Sequence, residues 1–149
     1  MNRSAIPFAI IAGISIIAAG FISAATAFSP SYTASWMVAY LILVVGVAQL
    51  MLGMGQAYLA DRTPSRSLLI AEIVLFNIAN IATIAGTLLS WLVVVYIGTA
   101  LMIVSLALFL WGVRIANRKH IWLLYGFRAI VLILIVSAGI GLVIASLKK

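Results

Sequence analysis

The 149-residue sequence has no cysteine, a single histidine and only two acidic side chains, Asp61 and Glu72. Without cysteine there is no disulfide, no thiolate metal site and no cysteine nucleophile. One histidine, His120, cannot supply bis-imidazole haem ligation or a metal cluster, and no cofactor, metal or catalytic residue is expected. The phosphate-binding loop, the H-E-x-x-H zinc helix and the G-x-S-x-G elbow are all missing. Charge of either sign is scarce: 7% of residues are charged, against about a quarter in soluble domains. Hydrophobic residues make up 66% and the mean hydropathy is +1.33. Such a chain has no polar shell to cover a core. A soluble enzyme, a nucleic-acid-binding domain and a disordered tail are excluded. The remaining class is an integral membrane protein.

The formal net charge of +7 makes no continuous basic face. Arg3, Arg62, Arg66, Arg114, Arg118, Lys119, Arg128, Lys148 and Lys149 sit between apolar runs, where topology signals belong. Their expected partners are anionic lipid headgroups, not nucleic acid. About 20 apolar residues are needed to cross the ~30 Å hydrocarbon layer. That length predicts an all-α, polytopic transmembrane bundle, a single domain over 1–149 with five spans at about 6–28, 35–60, 67–89, 92–116 and 121–147. The breaks are Ser29-Pro30-Ser31, Asp61 to Arg66, and Asn117 to His120. A further turn near Ser90-Trp91 is required, because residues 67–116 as one helix would run to roughly 75 Å.

With the N-terminus in the cytoplasm, seven basic residues fall inside and only Lys148 and Lys149 outside. Trp36 and Trp91 then mark the outer interface, and Trp111 and Trp122 the inner one. The expected location is the cell (inner) membrane, multi-pass, with the C-terminus outside. Met1-Asn2-Arg3, an apolar run and Ala25-Thr26-Ala27 together resemble a secretory leader. The run is long for a leader core, and it is expected to stay as the first helix.

Ser35-Trp36-Met37-Val38 and Ser90-Trp91-Leu92-Val93 match at an offset of 55, and Tyr40/Tyr96, Ala60/Ala116 and Arg62/Arg118 match at 56. This spacing predicts a half-unit followed by a parallel repeat of two hairpins, helices 2–3 and 4–5. Gly13, Gly20, Pro30, Trp36, Tyr40 and Gly46, with the run Trp122 to Arg128, resemble the HdeD-like acid-resistance membrane proteins. That family is built from repeated helical hairpins and usually has six helices, one more than here. The resemblance implies a non-enzymatic, stress-related membrane protein.

Small residues recur every seven positions: Gly13, Gly20 and Ala27; Gly46, Gly53 and Ala60; Ala79 and Gly86; Gly98, Ser105 and Gly112. A seven-residue period keeps one seam facing a neighbour, and small side chains let membrane helices approach closely. Gln49 and Gln56 fall near the Gly46–Gly53 seam. Glu72, Asn80, Thr83 and Thr87 share an arc of helix 3, with Asn77 further round. Helix 2 is therefore expected to offer amides to a polar stripe on helix 3.

Glu72 is the only carboxylate inside a span, and an intramembrane ionisable group is costly unless paired or protonated. Three alternatives stand: an ion pair with Arg128 at a comparable depth in helix 5, a carboxylate snorkelling to the lipid boundary, or a proton or cation site. The candidate polar site is accordingly Glu72, Arg128, Asn77, Asn80, Gln49 and Gln56. Short loops leave no room for an extramembrane active site. The expected function is therefore a small non-enzymatic accessory or structural subunit, packed on other membrane proteins or on itself, or a stress-related bundle. The alternative is a small oligomeric transporter or channel using Glu72. Small multidrug transporters have four helices and a glutamate in the first; helix 1 here carries no charge.

Overall fold

The computed structural model describes residues 3–61, 63–115 and 121–147. Arg62, Arg118, Lys119, His120, Lys148 and Lys149, to which the sequence assigns topology or interfacial roles, lie outside the described residues. Five helices are long and apolar enough to cross a membrane: α1 (Ile6–Ala25), α2 (Tyr32–Leu59), α3 (Arg66–Leu88), α4 (Leu92–Gly112) and α5 (Ile121–Leu147). The chain is an all-α helical bundle, as expected, and the ends differ from the expected spans by about a turn.

The differences have local causes. Helix α2 starts early because the Ser31 hydroxyl accepts the Ala34 N–H (3.1 Å), a cap that sets the first helical turn. Ser65 caps α3 in the same way through the Leu68 N–H. Helix α1 stops at Ala25, where the backbone N–H and hydroxyl of Thr26 both turn back to the Ile22 carbonyl. Within α2, residues Leu41–Ala48 are π-helical. The Gln49 N–H, at the exit of this stretch, reaches the Val44 carbonyl five residues back. No proline marks the segment, and nothing in the sequence pattern points to it.

The chain forms two compact units, residues 1–54 and 55–149, whose boundary falls inside α2.

In the first unit α1 buries Phe8, Ala12, Ser15 and Ala19, with Ala5 just before it. The sequence placed the seam on Gly13, Gly20 and Ala27, and this is corrected. A methyl group on Gly13 or Gly20 would meet nothing within 4 Å, and Ala27 lies beyond the helix end. The seven-residue period is right but shifted by one position, to Ala5, Ala12 and Ala19. The glycines of α2 explain why. Phe8 occupies the space a side chain on Gly53 would need, and Ile16 lies 2.7 Å from where a Cβ on Gly46 would stand. A glycine is filled best by a large side chain from the neighbour; two opposed glycine rows would leave a gap.

In the second unit the most extensive packing is between α3 and α4. Phe76 and Phe109 meet edge to face at 6.2 Å, a favoured aromatic geometry. A Cβ on Gly98 would lie 2.8 Å from Thr83 Oγ1, 2.9 Å from its backbone nitrogen and 3.0 Å from the Ala79 carbonyl. One on Gly86 would lie 2.9 Å from the Val95 nitrogen. Here the backbones themselves approach, as small residues permit in membrane helices.

The turn expected at Ser90-Trp91 is present. Leu89 N–H bonds the Ala85 carbonyl, and Trp91 N–H bonds the Gly86 carbonyl at 2.8 Å, satisfying carbonyls at the end of α3. Ser90 adopts φ 55°, a left-handed conformation usually given to glycine. Ser90→Gly is therefore expected to stabilise the protein by about 0.5–1 kcal/mol, and Ser90→Val to destabilise it by about 1–2 kcal/mol. Equilibrium unfolding in mixed micelles checks both signs.

Candidate functional site

Gln56 lies four residues before Ala60, and Glu72 is the seventh residue of α3. At 1.5 Å per residue Glu72 lies about 9 Å along its helix, a depth similar to that of Gln56 across the short connection. The structure brings the two together. Gln56 Nε2 donates to Glu72 Oε1 at 2.6 Å, both side chains being fully enclosed. Ser105 of α4 donates from its hydroxyl to the Glu72 backbone carbonyl at 3.3 Å.

Gly112, at the end of α4, makes the arrangement possible. A Cβ there would overlap Gln56 Nε2 and come within 3.3 Å of Glu72 Oε1. Gln56 of α2 and Ser105 and Gly112 of α4, all in the second unit, thus meet at Glu72. Where the chain leaves α2 and α4, the Asp61 N–H bonds the Ile115 carbonyl at 3.1 Å. Arg114 lies over the Trp111 ring at 3.9 Å, a cation–π contact.

The pairing of Glu72 with Arg128 is corrected. Arg128 is exposed, and Glu72 Oε2 has no hydrogen-bond partner among the described residues. Snorkelling of Glu72 is corrected too, because its side chain is wholly buried. The partner is a neutral amide, so no basic group among the described residues balances the carboxyl when it is ionised.

The polar stripe of α3 also differs from expectation. Asn77 Nδ2 donates to the Ile73 carbonyl and Asn80 Nδ2 to the Phe76 carbonyl, each at 2.8 Å. The Thr83 and Thr87 hydroxyls donate to the Ala79 and Thr83 carbonyls. These groups each donate to their own helix four residues back, as short polar side chains do in membrane helices. Gln56–Glu72 is the amide hydrogen bond between α2 and α3 side chains of the kind anticipated. Gln49 lies in the first unit, fully buried at the exit of the π-helical stretch, and neither its Nε2 nor its Oε1 has a partner among the described residues.

Sequence reasoning singled out Glu72 and Gln56 but not their bond. It placed Ser105 and Gly112 in a packing seam without linking them to Glu72. The available signal was the separation of 16 residues across a short turn, which sets both polar groups at one depth. No family model, curated protein or solved structure matches the chain. The HdeD-like resemblance therefore rests on the quoted residues alone.

Proposed function

We propose that this integral membrane protein is a non-enzymatic accessory or structural subunit that docks in the cell membrane against other membrane chains through α5. The observation that carries the reading is the state of that helix. Only 6% of the membrane-crossing window of α5 is buried within the chain, against 22–39% for the other four helices. Its own unit covers Phe127 and Val131 and leaves the C-terminal half open.

That open half carries Ser137, Gly141 and Ala145 at four-residue spacing, and a methyl on Gly141 would meet nothing within 4 Å. Small residues at this spacing allow a second helix to approach closely, whereas lipid contact alone makes no use of them. The HdeD-like resemblance fits the same reading, with a stress-related assembly as the setting.

Native mass spectrometry of particles extracted with their surrounding lipid tests it. A defined mass with other polypeptides attached is the expected result; a bare monomer contradicts it, and a homo-oligomer replaces the accessory role with self-assembly. Gly141→Leu is expected to remove the attached chains while leaving the protein's own unfolding within about 0.5 kcal/mol of wild type. Partner loss accompanied by unfolding would instead place Gly141 in the protein's own packing.

A further inference from the structure

We propose that Glu72 and Gln56 form an exchangeable site for one small monovalent cation, a proton or a sodium ion, held by their unpaired oxygen atoms. The site does not depend on the accessory-subunit reading, and either can hold without the other. Two oxygen atoms carry it. Glu72 Oε2 and Gln56 Oε1 are both buried and both without a hydrogen-bond partner among the described residues. Unsatisfied buried acceptors are rare and costly in proteins, and more so where no bulk water reaches them.

The bond from Gln56 Nε2 to Glu72 Oε1 uses the amide's donor side and leaves its oxygen unpaired. A cation or a proton would satisfy these oxygens. The neighbouring helices do not provide one among the described residues. Ser105 and Gly112 are what α4 offers, and the Ser105 hydroxyl is directed to the Glu72 backbone carbonyl. Asp61, Arg66 and Arg114 lie at or beyond the helix ends, and Arg114 stacks on Trp111. From α5, Phe127 packs near Gly55, and Arg128 is exposed.

Charge sets the class of occupant. One carboxylate neutralises one positive charge, whereas a divalent ion would leave a net charge in a low-dielectric setting. Gly112 makes room for the Gln56 amide. An added methyl collides with the mobile end of the Gln56 side chain, so Gly112→Ala displaces the amide without opposing backbone to backbone.

The test uses the full chain in lipid nanodiscs and the apolar reagent dicyclohexylcarbodiimide, which adds to a protonated carboxyl group. Modified peptides are located by mass, and water-exposed Asp61 serves as the internal comparison. Labelling rates are compared in sodium and choline chloride, each in acid and in alkaline buffer. A sodium site gives slower labelling of Glu72 in sodium than in choline, by about tenfold at ten times the dissociation constant. A proton site gives equal rates in the two salts and a rate that falls in alkaline buffer.

In both cases Gln56→Leu and Gly112→Ala change the salt or alkaline dependence by about tenfold or more, with helicity retained by circular dichroism. Absence of Glu72 labelling, or a rate that no cation alters, overturns the proposal in the wild-type protein alone. So does an unchanged cation response in a folded Gln56→Leu variant. Binding in a chain that carries no other polypeptide would leave the site standing and remove the accessory role.

Discussion

Replacing Gly98 by leucine is expected to destroy the α3–α4 hairpin, with a loss of about 3 kcal/mol or more, at the upper end of overpacking effects. Even one carbon atom on Gly98 would stand 2.9 Å from the Thr83 nitrogen and 3.0 Å from the Ala79 carbonyl. These are backbone atoms, so rotating a side chain gives no relief and the helices must separate. Separation also pulls apart Phe76 and Phe109 and withdraws Ser105 from the Glu72 carbonyl. Membrane helices have little hydrophobic drive toward one another, and close packing forfeited at such a crossing is not recovered elsewhere. Gly98→Ala is expected to cost about 1–3 kcal/mol by the same argument. Gly13→Leu, on a face where an added methyl meets nothing, should stay within about 0.5 kcal/mol. Reversible unfolding in mixed micelles measures all three. Equal effects at Gly98 and Gly13 would contradict the packing described.

The second large effect is expected at the polar centre. Glu72→Leu leaves the Gln56 amide without its acceptor and is expected to cost about 1–3 kcal/mol, the penalty of a buried unsatisfied donor. Glu72→Gln keeps a carbonyl oxygen in reach of Nε2 and should recover most of that loss. Replacing both Gln56 and Glu72 by leucine should cost less than the two single changes added together, with a coupling of about 1 kcal/mol. Arg128→Gln is expected to change stability by no more than about 0.5 kcal/mol, because the side chain is exposed. A large effect of Arg128→Gln, together with additive behaviour of Gln56 and Glu72, would restore the ion pair that the sequence suggested.

Much of the architecture was legible because the bilayer imposes a length on each element. Apolar runs near 20 residues, punctuated by Ser29-Pro30-Ser31 and by Asp61 to Arg66, leave little choice of helix number. The Ser90 turn followed from length alone, although nothing in a serine announces φ 55°. The face each helix presents was less legible. Gly13 and Gly20 have the same seven-residue spacing as Ala12 and Ala19, and which row is buried depends on large side chains such as Phe8 and Ile16 seeking the glycines of α2. The π-helical stretch Leu41–Ala48 has no pattern of its own, because a widened turn is set by tertiary packing.

At the polar centre the sequence drew attention to Glu72 for its isolation in a span. It misassigned the partner because charge complementarity suggested arginine, whereas depth across a short connection selected an amide. The asparagines and threonines of α3 share an arc, yet each donates to a carbonyl of its own helix. Each is short enough to bond its own helix, and periodicity cannot reveal that.

The partner of Glu72 can be measured directly, since the chain has no cysteine and introduced thiols have no background. Gln56→Cys/Glu72→Cys and Glu72→Cys/Arg128→Cys proteins, treated in native membranes with a short bis-maleimide, should differ sharply. Efficient cross-linking of the first pair and none of the second is the predicted result. Cross-linking of Glu72→Cys to Arg128→Cys, with none to Gln56→Cys, would contradict the account.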